Sequence, residues 1–239
     1  MRIGLNIVSQ KEMNDTCFAC SSPATTHEHV PPVCLFPESK DTDGQQDFRR
    51  NLITVPACAA HNLAKSGDDE YFLWVLSTNL PANSVAWQQV LTKLARAHKR
   101  RPALGQSILS DTKDVTVVDS RSGTKHDVVE VPLDGTRFQR VLDLVALGLY
   151  RHHFHERWAG SIRAHQDFIG YADSGQTLDV DTHRLVLFDA AEKLFAPEPK
   201  HGENPDVFWY QVHEPNVRYR CLMRLVFYGG CTVTAFAGD

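Results

Sequence analysis

Cys17 and Cys20 stand as Cys-x-x-Cys, and Cys58 and His61 as Cys-x-x-His. A two-residue gap folds into a tight knuckle that points both side chains the same way. Two such pairs can therefore converge four soft or borderline donors on one tetrahedral cation, which is what structural zinc takes. One Cys-x-x-Cys alone would equally suit redox chemistry; the second pair, and the way both pairs flank a different motif, favour metal. The plainer alternative is four unrelated residues, with His61 a surface histidine. His27 and Cys34 are available in place of His61 as the fourth ligand.

Between the pairs lie Glu28, His29, Val30 and Pro31, followed by Asn51 and, just past the second knuckle, Asn62 and Lys65. Glu28 and the amide oxygen of Asn62 are hard donors, suited to a magnesium-like ion that keeps several waters. His29 is then free to act as a base on water. A cation beside a general base is an arrangement for hydrolysing a phosphodiester, because the ion offsets charge on the phosphate while the base activates water. Neighbours on a strand face opposite sides, so Glu28 and His29 need a bend at Val30-Pro31-Pro32 to work on one centre. Taken singly, each residue has an ordinary explanation: a solvated His-Glu-His loop, a turn asparagine at 51, a helix cap at 62, a surface lysine at 65.

Order and spacing together resemble the HNH endonucleases, the ββα-metal or His-Me finger group, in the form that carries a zinc knuckle. The resemblance covers roughly the first 70 residues. It implies that His29 is the general base, that Glu28 and Asn62 bind the catalytic Mg²⁺ or Mn²⁺, that Asn51 orients His29, and that Lys65 lies near phosphate. It also implies a structural zinc on Cys17, Cys20, Cys58 and His61. Two departures stand out: the acid is Glu28 where Asp is more frequent, and the last knuckle ligand is His61 where Cys is more frequent. DNA is the expected substrate, with RNA as a variant, and the compact size resembles effector nucleases of bacterial defence systems, which work alone or with an ATPase or sensor subunit. The alternative is a non-catalytic zinc-binding module that recruits nucleic acid or protein.

The elements that must position these residues are readable in outline. Thr25–Val30 and Asn51–Val55 predict two strands and Cys58–Ser66 the start of a helix, in β-β-α order. The polar loop 33–50 ends in Arg49 and Arg50, within reach of phosphate, although adjacent surface arginines are usually just solvated. A helix begins at Asp68-Asp69-Glu70, where acids suit the helix dipole. A second, amphipathic helix starts with Ser84 as its cap and packs through Val85, Trp87, Val90, Leu91 and Leu94. Its far end carries a basic patch of Lys93, Arg96, Lys99, Arg100 and Arg101. Strands are expected at 115–118 and 128–131 around a turn, a helix at Gly135–Phe154, a short helix at 182–194, and a terminal meander at 207–212, 219–227 and 232–236. In the run His152-His153-Phe154-His155 only His152 and His155 share a helical face, so it reads as a polar helix end before it reads as a metal site. Cys221 and Cys231 read as buried thiols first and a disulfide second.

The expected fold class is α+β: an HNH-like domain over residues 1–105, then a helix-on-antiparallel-sheet domain over 106–239. The 239 residues are 42% apolar and 23% charged, typical of a globular protein. No apolar run approaches membrane-spanning length, and the first residues lack a signal peptide's apolar core, so a cytoplasmic location is expected. The net charge of −4 is awkward for a nucleic-acid enzyme and puts the burden on local patches.

Overall fold

The computed structural model describes residues 16–42, 44, 46–62, 66–100, 102, 106, 110–118, 123–168, 182–214 and 219–238. The architecture is α+β: two small two-stranded sheets and one five-stranded antiparallel sheet, with helices between them. Strands β1 (Thr26–His29) and β2 (Thr54–Ala57) pair antiparallel, with Thr26 opposite Ala57 and His29 opposite Thr54. The short helix α1 (Ala59–Asn62) follows, and then α2 (Ser66–Ser77). The expected strands are thus present, with the second shifted two to three residues toward the knuckle.

Next comes one interrupted helix: α3 (Ser84–Gln89), a π-helical turn (Val90–Leu94), and α4 (Ala95–Arg100). Its cap is Asn83, whose side chain accepts from the N–H groups of Val85 and Ala86, and not the expected Ser84. Asn makes as good a cap as Ser, so position had to decide. A further correction concerns the apolar face. Trp87 and Leu91 are exposed, while Ala86, Gln89, Leu94 and Ala97 are buried.

A hairpin of β3 (Lys113–Val118) and β4 (Lys125–Glu130) leads to the long helix α5 (Gly135–Phe154). Asp134 caps α5 by accepting from the Arg137 N–H. Beyond it lie β5 (Ser161–Gln166), α6 (Thr182–Phe195), β6 (His201–Asn204), β7 (Phe208–His213), β8 (Tyr219–Phe227) and β9 (Cys231–Gly238). The large sheet has the order β5-β9-β8-β7-β6. Along β9 every second residue is buried, the two-residue period of a strand with one face on the core. Cys221 and Cys231 form no disulfide and are fully buried; Cys231 pairs with Phe227 and Cys221 with Ala237, so the two thiols do not face each other. Among the described residues no helix is long and apolar enough to cross a membrane.

Helix α5 is the spine. Its buried Phe138, Val141, Leu142, Val145, Ala146 and Leu149 belong to one hydrophobic cluster with the inner face of the large sheet and with Val30, Val55, Phe72 and Leu76. Phe72 meets Phe138 at 5.0 Å and Phe227 at 5.6 Å between ring centroids. Arg137 donates to Asp68 at 2.6 Å and also to the Gly67 carbonyl. Gly148 sits where a Cβ would lie 2.5 Å from Val30 Cγ2. A helix interior ordinarily gains about 0.5–1 kcal/mol from Gly→Ala, but overpacking of this kind loses about 1–3 kcal/mol, so the clash wins. Gly148→Ala is expected to lower the melting temperature, and the double variant Gly148→Ala/Val30→Ala to recover part of the loss relative to the sum of the single changes. Strict additivity would show that the two side chains do not meet.

The loop 33–50 is fastened to the interrupted helix. Asp41, its side chain 2% exposed, takes both Arg96 Nη atoms at 2.6 and 2.7 Å. Gln89 donates to the Leu35 carbonyl, Gln88 to that of Asp41, and Lys93 to that of Cys34. The Arg96 hydrogen bonds hold the Asp41 carboxyl below the ordinary range. A carboxyl lowered on folding contributes stability above its unfolded pKa and loses it as pH falls through the folded value. The acid limb of stability below about pH 4 is therefore expected to be shallower in Arg96→Met. That variant should also lose about 1–3 kcal/mol at neutral pH, because it leaves a desolvated carboxylate without its partner. Urea midpoints between pH 3 and 7 read both effects; a parallel pH profile in the variant would remove Asp41 from the account.

Candidate metal centre and adjoining polar site

The four knuckle residues meet. The ligand atoms of Cys17, Cys20, Cys58 and His61 all lie within 4.8 Å of one another, and among the described residues no other group of three or more His, Cys, Asp or Glu does so. Bonds of about 2.3 Å to sulfur and about 2.0–2.1 Å to nitrogen make the edges of a zinc tetrahedron about 3.8 Å for S···S and about 3.6 Å for S···N. The structure has Cys20 Sγ to Cys58 Sγ at 3.8 Å, Cys17 Sγ to His61 Nδ1 at 3.6 Å and Cys58 Sγ to His61 Nδ1 at 3.3 Å. The donor set is thus spaced for a zinc-like ion, with Nδ1 as the histidine ligand. Burial pushes the Cys17 thiol up; a cation is what would hold such a sulfur as thiolate.

Local backbone explains why they converge. Cys17 N–H bonds to the Ser22 carbonyl and closes the first knuckle. Phe18 N–H and Thr25 N–H bond to the carbonyls of Pro56 and Ala57, which lashes that knuckle to the end of β2. Cys58 follows β2 directly, and the N–H groups of His61 and Asn62 bond back to its carbonyl. His27 is exposed on β1, and Cys34 donates its S–H to the Asp69 carbonyl; neither belongs to the cluster.

The metal centre stands at the Thr26–Ala57 end of the β1–β2 hairpin, and His29 stands at the other. Glu28 is 6% exposed and lies opposite the buried Val55. Asn62 donates its amide hydrogens to Thr26 Oγ1 at 2.6 Å and to the His27 carbonyl at 3.1 Å. Thr26 and Glu28 share a face of β1, so the Asn62 amide is pinned to the strand face that carries the Glu28 carboxylate. With its hydrogens used, Asn62 has Oδ1 to offer a cation. Buried carboxylate and amide oxygen are the hard donors a magnesium-like ion prefers.

His29, half-buried, is the last residue of β1, and the chain bends at Val30–Pro31, a cis peptide bond. Burial first, and the charge of Arg49 second, hold its imidazole below the ordinary histidine range. Arg49 is itself held by the Phe36 carbonyl at 3.3 Å and Glu38 at 3.4 Å. Asn51 is exposed and has φ +51°, a left-handed conformation that asparagine tolerates. Among the described residues no hydrogen bond joins it to His29. Arg50 is exposed, and its carbonyl accepts from the buried Asn204 at 3.0 Å. Lys65 lies outside the described residues.

The basic patch divides. Lys93 and Arg96 are committed to the loop, and burial holds the Lys93 ammonium below its ordinary range. Beside Lys93 lies a cavity of about 370 Å³ lined in part by Cys34, Glu70, Leu73 and Arg100. Lys99 and Arg100 remain exposed, and Arg101 lies outside the described residues. In the histidine run, His153 packs edge-on to His201 at 5.1 Å and His155 is the left-handed cap residue of α5, consistent with a polar helix end. The Asn62–Thr26 bond is a feature that spacing cannot reveal, because its partners are 36 positions apart. Comparison with family models, with curated proteins and with solved structures gives no match.

Proposed function

We propose that the protein is a metal-dependent endonuclease of the HNH type, acting on DNA, with RNA as the variant substrate. The observation that carries this reading is the Asn62 amide bound to the strand face of Glu28, in a β-β-α segment whose ends are joined by a Cys₃His cluster. Glu28 and Asn62 Oδ1 would hold Mg²⁺ or Mn²⁺, which when bound offsets charge on the scissile phosphate and the leaving oxygen. His29, whose imidazole burial and then Arg49 hold below the ordinary histidine range, takes a proton from the attacking water. The bend after His29 lets its ring work on the same phosphate as Glu28, from the opposite face of the pleat. In this reading Asn51, which ends the turn leading into β2, keeps His29 in register, Lys65 and Arg50 meet substrate phosphate, and Arg49 adds charge beside the base. A bacterial defence effector served by an ATPase or sensor subunit is a fitting setting, since a net charge of −4 weakens unaided capture of nucleic acid.

The test is a plasmid-nicking assay on protein stripped of metal and resupplied with zinc alone, or with zinc plus magnesium or manganese. Nicking that requires the second metal supports the reading. A protein that binds nucleic acid but cuts nothing under any metal would make it a zinc-stabilised binding module.

A further inference from the structure

Trp87, Leu91, Ala95 and Lys99 are all exposed, Trp87 at 58% and Leu91 at 63%. They stand four residues apart. In a regular α-helix four residues overshoot a turn by about 40°, so Lys99 would be carried about 120° round the axis from Trp87. The π-helical turn at Val90–Leu94 spends more residues per revolution and removes most of that drift. The four side chains therefore form one file about 18 Å long, with an indole at one end and an ammonium at the other. Interruptions of this kind concentrate at functional sites.

Charge is segregated on the same element. Residues 84–100 carry four Lys or Arg and no Asp or Glu, in a chain of net charge −4. Lys93 and Arg96 are outside the file and serve the loop, while Lys99 and Arg100 are exposed. The loop that Lys93 and Arg96 hold is the one that joins β1 to β2 and carries Arg49, so the helix that bears the file is braced against that loop.

We infer that this file is a track for an unpaired nucleic-acid strand: one base stacks on Trp87, Leu91 supports the sugar edge, and Lys99 and Arg100 take phosphates farther along. An aromatic platform joined to cations, with no acid between them, is what single-strand binders combine. A base inside a duplex offers no free face to Trp87, so the preference is for single strands, loops or frayed ends. The inference deepens the nuclease reading and takes its motive from it, but its test is binding without cleavage.

The experiment is fluorescence anisotropy with a short labelled oligothymidylate and with a duplex of equal length, in zinc-loaded protein without magnesium. Wild type is expected to prefer the single strand. Trp87→Ala should weaken it about 5- to 100-fold, Trp87→Phe should retain most of the affinity, and Lys99→Gln should flatten the salt dependence. His29→Ala should bind as wild type does, so loss of nicking in that protein and loss of binding in Trp87→Ala are separate results. Equal binding by Trp87→Ala, or a preference for duplex, overturns the track. So does a Trp87-dependent dimer on size-exclusion chromatography, or Trp87-dependent binding to anionic vesicles with none to the oligonucleotide.

Discussion

A His29→Ala protein is expected to fold, to keep its zinc and to nick DNA about 10²- to 10⁴-fold more slowly than wild type, the range a positioned general base contributes. His29 is half-buried at the end of β1, and it is its neighbours Glu28 and Val30 that are buried. Its removal opens little cavity, so the melting temperature should move by no more than a few degrees. Zinc content should not move at all, because the Cys₃His cluster stands at the other end of the hairpin and takes its histidine nitrogen from His61. Unchanged fold, unchanged zinc and lost cleavage together can come only from chemistry. Wild-type nicking by the variant would falsify the assignment of His29 as base, whatever else proved true of the site.

Cys17→Ala is expected to have the larger effect on the molecule and a less specific one on activity. Zinc in sites of this kind binds with an apparent free energy of about 10–16 kcal/mol, against a total stability of about 5–15 kcal/mol for an ordinary domain. Cys17 is fully buried, and the backbone bonds from Phe18 and Thr25 to the end of β2 depend on the knuckle it closes. Loss of one ligand should release the metal, unlace residues 16–62 and leave the protein aggregated or strongly destabilised. Cys34→Ala is the matching control: a thiol in the same region, bonded to the Asp69 carbonyl and outside the cluster, whose removal should leave one zinc per chain. Metal content by mass spectrometry and thermal unfolding, compared across the two variants, decide the matter. A soluble Cys17→Ala protein with the wild-type melting curve would count against structural zinc.

The sequence was most legible where the signal is local. Both knuckles are closed by two-residue gaps, and their convergence needed only a hairpin between them. Helix α5 was readable to its ends, because twenty residues of helical period leave few alternatives. Short strands fared worse. His201–Asn204 has no apolar residue and is a strand only because β7 pairs with it; in Ser161–Gln166 only Ile162 and Ala164 point inward. The apolar spacing of Val85, Trp87, Val90, Leu91 and Leu94 assumed an uninterrupted helix, and a π turn within it cannot be seen from composition. For the same reason the basic patch looked uniform: nothing near Arg96 in the chain announces Asp41, 55 positions earlier.

Time adds a consequence of the way the late chain backs the early one. The hairpin with Glu28 and His29 is translated first. Its final packing waits for Gly148 against Val30, for Asn204 on the Arg50 carbonyl and for Tyr228 on the Leu35 carbonyl at 2.6 Å. At about 5–20 residues per second, the ribosome needs roughly 10–40 seconds to travel from the second knuckle to the last strand of the large sheet. During that interval the zinc knuckles can close, but the late partners of Val30, Leu35 and Arg50 do not yet exist. On the proposed nuclease reading, the protein stays blunt while it is being made beside messenger RNA, and becomes sharp only once its last strand is in place.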